Sequence, residues 1–182
     1  MTSVGHSLMG IAIGIFCVPQ RTSARWKVGY FAAFVVLPNI PDLPFPHWGH
    51  DRYDISHSLF VNLILCLVMV ALLGWHPSIR HSIGDGKVLG SGVAAWLSHL
   101  LLDSFYNHGR GVAIFWPLSD AHLALPIPWF SVAPFPPLRL ALLQECAIEF
   151  ASYLPLVLLA YSLRRSELFQ RAAYSASEQR HD

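Results

Sequence analysis

The amino-acid sequence predicts an all-α, multipass transmembrane helical bundle with about five membrane segments and a Pro/Trp-rich interfacial loop. Two observations carry this prediction. Of 182 residues, 54% are hydrophobic and only 13% are charged, and the mean hydropathy of +0.45 lies outside the range of ordinary soluble domains. The apolar residues also gather into five runs, at roughly 4–19, 27–41, 56–75, 88–106 and 138–163. The formal net charge of +1 leaves no basic face large enough for nucleic acid.

Each segment has its own character. The first two, about 15 residues each, are short for a bilayer that needs about 20, so they are expected to pack inside a bundle or to thin the membrane. The first is not expected to be a signal peptide, because no basic residue precedes it and Pro19-Gln20-Arg21 is a poor cleavage site. The third and fifth are long enough to span. Between the fourth and fifth, residues 107–137 carry Pro117, Pro126, Pro128, Pro134, Pro136 and Pro137 with Trp116 and Trp129. Prolines at that density exclude a regular spanning helix, and the tryptophans suit an interfacial lid. A single transmembrane domain over residues 1–165 is expected, followed by a polar cytoplasmic tail over 166–182. Cys17, Cys66 and Cys146 stand singly in apolar surroundings and are read as small buried hydrophobes.

If five segments cross, Arg21, Arg25, Lys27, Arg80, Lys87, Arg164, Arg165, Arg171 and Arg180 share one side, and only Arg52, Arg110 and Arg139 lie on the other. The positive-inside rule makes the first side cytoplasmic, with the N-terminus outside. The histidines sort the other way: His6, His47, His50, His57, His99, His108 and His122 fall outside, whereas His76, His81 and His181 fall inside.

His99 and Asp103 are the most informative pair in the chain. Four residues apart on one helical face, they place an imidazole and a carboxylate together in an otherwise apolar run. Ionisable groups in such a run mark function. His6, followed by the small-residue stripe Gly10 and Gly14, opens the first segment; Asn39 and Asp42 close the second; His50, Arg52, Asp54 and Ser56-His57-Ser58 lead into the third; Asn107 and His108 follow the fourth. All fall at one end of the expected bundle. Imidazole and carboxylate together suit a divalent metal, zinc first and manganese as the alternative. Each residue also has a plainer role: a helix-end histidine can simply hydrogen-bond, Asp42 can cap a turn, and His99 with Asp103 can be an internal pair. Glu145 and Glu149 form a second i, i+4 pair in the last segment, where they can hydrogen-bond histidines or line a wet cavity. Glu145 is the candidate sixth ligand or general base. Arg52 is the candidate for binding an anionic group, since guanidinium matches phosphate or carboxylate oxygens bidentately.

At these residues the chain resembles the bacterial and archaeal inner-membrane metal-dependent hydrolases, also described as LexA-binding, inner-membrane-associated hydrolases. The matching pieces are His6 with its downstream glycines, Leu37-Pro38 to Asp42, Arg52 to Ser58, His99-Leu-Leu-Leu-Asp103, and Gly111 through Trp116-Pro117, roughly residues 1–120. The resemblance implies a multipass metal-dependent hydrolase with metal roles for His6, Asp42, His57, His99 and Asp103. The chain departs from the family's Leu-Pro-Asp-x-Asp pattern, with Asn39 in the first acidic place and Asp42 displaced by Pro41, which leaves either residue as the ligand. The LexA label implies a cytoplasmic partner, which an outward-facing site does not explain.

The expectation is therefore an enzyme of the inner membrane that hydrolyses an ester or phosphoester of a lipid-like substrate at the outer, periplasmic interface. Its partners would be membrane lipids and that substrate, without nucleic acid. The competing expectation is a non-catalytic divalent-metal-binding or transport protein, which should carry polar groups through its whole depth.

Overall fold

The computed structural model describes residues 2–18, 23–75, 86–105, 111–125 and 140–178. Among these the secondary structure is helical without strands, apart from an isolated antiparallel bridge between Val112 and Leu123. The α-helices are α1 (Ser3–Cys17), α2 (Ala24–Val36), α3 (Tyr53–Ser56), α4 (Leu59–Trp75), α5 (Gly86–Asp103) and α6 (Leu140–Glu178). Two 3-10 turns, Leu37–Asp42 and Gly49–Arg52, separate α2 from α3.

Local chemistry sets the ends. Thr2 and Ser23 cap α1 and α2 by accepting from the Val4 and Trp26 N–H groups. Pro38 and Pro41 lack the N–H that an α ladder needs, so the second expected segment finishes as a tight 3-10 turn. The third expected segment is broken. Ser58 accepts from the Val61 N–H and restarts the helix as α4, which leaves His57 at the junction. The last helix runs unbroken from Leu140 to Glu178, across the expected boundary at residue 165 and through Pro155.

The five-segment expectation is met in part. Among the described residues one stretch, Leu142–Glu167 of α6, is long and apolar enough to cross a membrane, while Ser3–Cys17 and Leu59–Trp75 are apolar but shorter. α2 has only 13 residues, and α5 mixes Lys87, glycines and serines with its ligand-type residues. The outer faces of α4 and α6 expose Ile64, Leu67, Leu72, Leu143, Phe150, Leu158 and Leu159.

Helix α1 sits centrally, packed on α2, α5 and α6. The small-residue stripe makes this possible: a Cβ on Gly10 would lie 1.9 Å from the Phe34 carbonyl oxygen, and one on Gly14 would lie 2.9 Å from the Phe34 ring. Tyr30, Phe34, Val88 and Ala95 form the apolar core beside it. The Tyr30 hydroxyl donates to the Gly14 carbonyl at 3.1 Å.

Candidate metal centre

The start of α1, the 3-10 turn after α2, the α3–α4 junction and the end of α5 all meet at one end of the bundle. Each delivers one or two ligand-type side chains. His6, His57 and His99 are 0% exposed, Asp103 is 1% exposed, and Asp42 is 17% exposed, so the opening to the site lies on the Asp42 side.

His57 Nε2 lies 3.3 Å from Asp42 Oδ1, 3.3 Å from Asp103 Oδ2 and 3.1 Å from His99 Nε2. His99 Nε2 is 3.8 Å from Asp42 Oδ1 and 3.5 Å from Asp103 Oδ2. His6 Nε2 approaches the other oxygen, Asp103 Oδ1, at 3.2 Å, and its ring stacks on His99 with centroids 4.0 Å apart. One donor atom from each of His6, Asp42, His99 and Asp103 falls within 4.8 Å of the rest, so this group could hold a metal ion. All five sequence-predicted ligands thus come together.

The surrounding groups fix which nitrogens face inward. His99 Nδ1 is 2.7 Å from the Pro38 carbonyl, and a carbonyl only accepts, so the ring proton is on Nδ1. His57 Nδ1 likewise meets the Tyr53 carbonyl at 3.2 Å and Ser56 Oγ at 2.8 Å. Both Nε2 atoms therefore point at each other and at two carboxylates, an arrangement that only a proton or a metal ion between them makes favourable. Burial opposes ionisation of Asp42, yet its hydrogen bond with His57 and the nearby His99 outweigh this and hold the carboxyl below the usual carboxylate range. Burial, with Asp103, Asp42 and Asp54 nearby, pushes the Tyr53 phenol up and keeps it neutral. Its ring stacks on His57 at 3.8 Å.

A second layer holds these groups in place. Buried Asn62 donates to the Ser56 and Ser58 carbonyls at 2.7 Å each and accepts from the Trp96 indole at 2.8 Å, which ties the His57 junction to α5. The described part of the Pro/Trp-rich stretch, residues 111–125, folds over this end. The Leu59 N–H donates to Ile114 O, the Ser58 hydroxyl to Trp116 O, and the Leu125 N–H to Ser104 O. Neither Asn62 nor Trp96 is among the residues expected at the site, although an asparagine inside an apolar helix is itself a signal.

Other expectations are redistributed. Asn39 donates to Val35 O and Ser7 Oγ, so the alternative left open in the sequence resolves toward Asp42 as the residue at the centre. Glu149 does not bond a histidine. It is 1% exposed and accepts from the Thr2 N–H, the Thr2 hydroxyl and the Gly5 N–H, capping the first turn of α1 immediately before His6. Glu145, the candidate sixth ligand or base, lies one turn away on α6, and among the described residues no hydrogen bond or ion pair joins it to the centre. Arg52 is exposed at the end of the second 3-10 turn, which packs against the turn carrying Asp42. His47 is exposed, and His122 reaches the exposed Asp54 at 3.9 Å, away from the centre. Asn107, His108, Trp129 and the prolines from 126 onward lie outside the described residues, as does the side chain of His50.

A family model described as YdjM inner membrane protein matches residues 1–168. The chain belongs to the YdjM inner membrane protein family. That membership makes it an inner-membrane protein. Comparison with curated proteins and with solved structures finds no match. The YdjM match spans every element that contributes to the centre, from His6 on α1 through Asp103 on α5.

Proposed function

We propose that this protein is a multipass metal-dependent hydrolase of the inner membrane, acting on an ester or phosphoester of a lipid-like substrate at the outer, periplasmic interface. The observation that carries the reading is the convergence of His57 and His99 Nε2 with the Asp42 and Asp103 carboxylates, their Nδ1 protons committed to backbone carbonyls. Two imidazoles and two carboxylates suit zinc and also manganese. A divalent ion held by His57, His99, Asp42 and Asp103 would supply a Lewis acid for a carbonyl or phosphoryl oxygen and would lower the pKa of bound water. The chain's own residues do the rest: Pro38, Ser56 and Tyr53 aim the imidazoles, residues 111–125 screen the centre from bulk water, and exposed Arg52 draws an anionic group toward the Asp42 opening.

Sidedness rests on charge. Arg25, Lys27, Lys87, Arg164 and Arg165 lie at the end of the helices opposite the centre, which under the positive-inside rule faces the cytoplasm. Little polar chemistry continues through the apolar core around Tyr30, Phe34, Val88 and Ala95, which favours hydrolysis over transport. Elemental analysis of purified protein tests the metal: His99→Ala and Asp103→Ala should both lose it, and full retention in both would defeat the proposal. A lipid-ester screen on the same preparation tests turnover. A cysteine at Asp51 should be labelled from outside; protection there would move the site to the cytoplasm.

A further inference from the structure

We infer that the centre holds two cations in unequal positions that share Asp103, a closed one on His57, His99 and Asp42 and an open one on His6. This inference rests on the metal reading above and adds the division of labour within it.

The donor atoms separate into two sets by which Asp103 oxygen they face. His57 Nε2 and His99 Nε2, 3.1 Å apart, stand 3.3 and 3.5 Å from Oδ2, and Asp42 Oδ1 lies 3.3 and 3.8 Å from the same two nitrogens. A tetrahedral zinc shell with bonds of about 2.05 Å has ligand–ligand edges of about 3.3 Å, so these separations match five of the six edges of one such shell. Four protein donors leave no place for substrate, the condition of a structural ion.

His6 meets Asp103 on its other oxygen, with one of its ring nitrogens still within 4.8 Å of a donor atom on each of Asp42 and His99. It faces Oδ1 at 3.2 Å, is 0% exposed, and neither of its ring nitrogens makes a hydrogen bond among the described residues. An imidazole buried without hydrogen-bond partners is costly. A cation bridged to the first through the two Asp103 oxygens satisfies it, at the separation of about 3.5–4 Å found in two-metal sites. That second position has His6 and Asp103 as its nearest protein donors among the described residues, and so keeps coordination sites for substrate.

Full-length protein in detergent, stripped and reloaded with Zn²⁺ and separately with Co²⁺, tests this by metal-to-protein ratio and by the visible Co²⁺ spectrum. The unaltered chain should bind two ions of different affinity. His6→Ala and the closer-sized His6→Gln should each bind one and keep the intense tetrahedral Co²⁺ bands, whereas Asp42→Asn should weaken those bands. One ion in the unaltered chain, with His6→Ala unchanged, would overturn the inference while leaving the metal reading intact. Loss of both ions in both His6 variants, with thermal unfolding unchanged, would overturn it too. Absence of any metal in the unaltered chain would overturn the metal reading itself.

Discussion

At one end of the bundle the helices are interrupted, capped and cross-linked by hydrogen bonds, and the buried side chains are histidine, aspartate, asparagine and serine. At the other they run on as plain apolar rods. There Tyr30, Phe34, Met69, Leu73, Val88 and Leu89 line a groove of about 470 Å³ between α2, α4 and α5, and Arg164 closes the outermost turn by donating to Val18 O at 2.9 Å. The difference teaches where rigidity is needed. Directional bonds gather where atoms must be held to a few tenths of an ångström, and non-directional packing suffices where only apolar area has to be covered.

The largest expected effects follow from removing a central ligand. Asp103 touches all three histidines of the centre, so Asp103→Ala should abolish stoichiometric metal binding, read by elemental analysis, and lower the melting temperature of the metal-loaded protein most. Chelation of the unaltered protein should lower its melting temperature toward that of the Asp103→Ala variant, because a ligand that binds only the folded state stabilises by mass action. Equal melting temperatures with and without chelator would mean that this end owes its order to hydrogen bonds alone.

Next come changes at the junction between the two ends. Gly10→Val would place a Cβ 1.9 Å from the Phe34 carbonyl and 2.8 Å from Pro38 Cγ. Backbone cannot give way cheaply, so α1 must shift, at a cost of about 1–3 kcal/mol or more. The same shift moves His6 relative to Asp103, so metal affinity should fall together with thermal stability. Gly90→Ala on α5, where the added Cβ meets nothing within 4 Å, should be neutral or stabilising by up to about 1 kcal/mol. A stability loss from Gly90→Ala as large as that from Gly10→Val would remove the steric argument.

How far the sequence discloses this contrast depends on the kind of signal. His6, His57, His99 and Asp103 stand out because an ionisable residue in an apolar run has few explanations, and the i, i+4 spacing fixes the shared face of the last two. The choice between Asp42 and Asn39 is not legible in the sequence, because the answer depends on how Pro38 and Pro41 convert a helix end into a 3-10 turn, a matter of backbone geometry rather than residue type. The helix break at His57 was hidden by continuous hydropathy across residues 56–75, although Ser58 is a good N-cap. Glu149 stands out for its charge, which suggests histidines or a wet cavity as its surroundings; the Thr2 and Gly5 N–H groups at the start of α1 from which it accepts lie 147 and 144 residues away in sequence, which no local pattern reveals. Backbone donors carry no sequence signature.

Asn62 separates positioning from packing most cleanly. Its side chain completes three hydrogen bonds, to the Ser56 and Ser58 carbonyls and from the Trp96 indole. Asn62→Leu keeps the volume but strands a buried indole N–H, a loss of about 1–3 kcal/mol. Because Ser56 also meets His57 Nδ1 at 2.8 Å, the variant should lower metal affinity by about 10-fold, the lower range for outer-layer partners of metal ligands. A competition titration with a chromophoric chelator reads that change. Unaltered affinity alongside reduced stability would confine Asn62 to holding α4 against α5.

The smallest effect belongs to the opposite end. Tyr30→Phe removes the hydroxyl that donates to Gly14 O but keeps the ring stacked near Trp26, Phe31 and Phe34. The loss should be about 1 kcal/mol in thermal unfolding, with metal stoichiometry and affinity unchanged. Gly14 stands two helical turns from His6 on the same helix, so any slackening of the helix as a whole would reach the centre. A fall in metal affinity in Tyr30→Phe would therefore mean that α1 transmits strain along its length, and the two ends would have to be treated as one coupled unit rather than as a rigid site mounted on an apolar base.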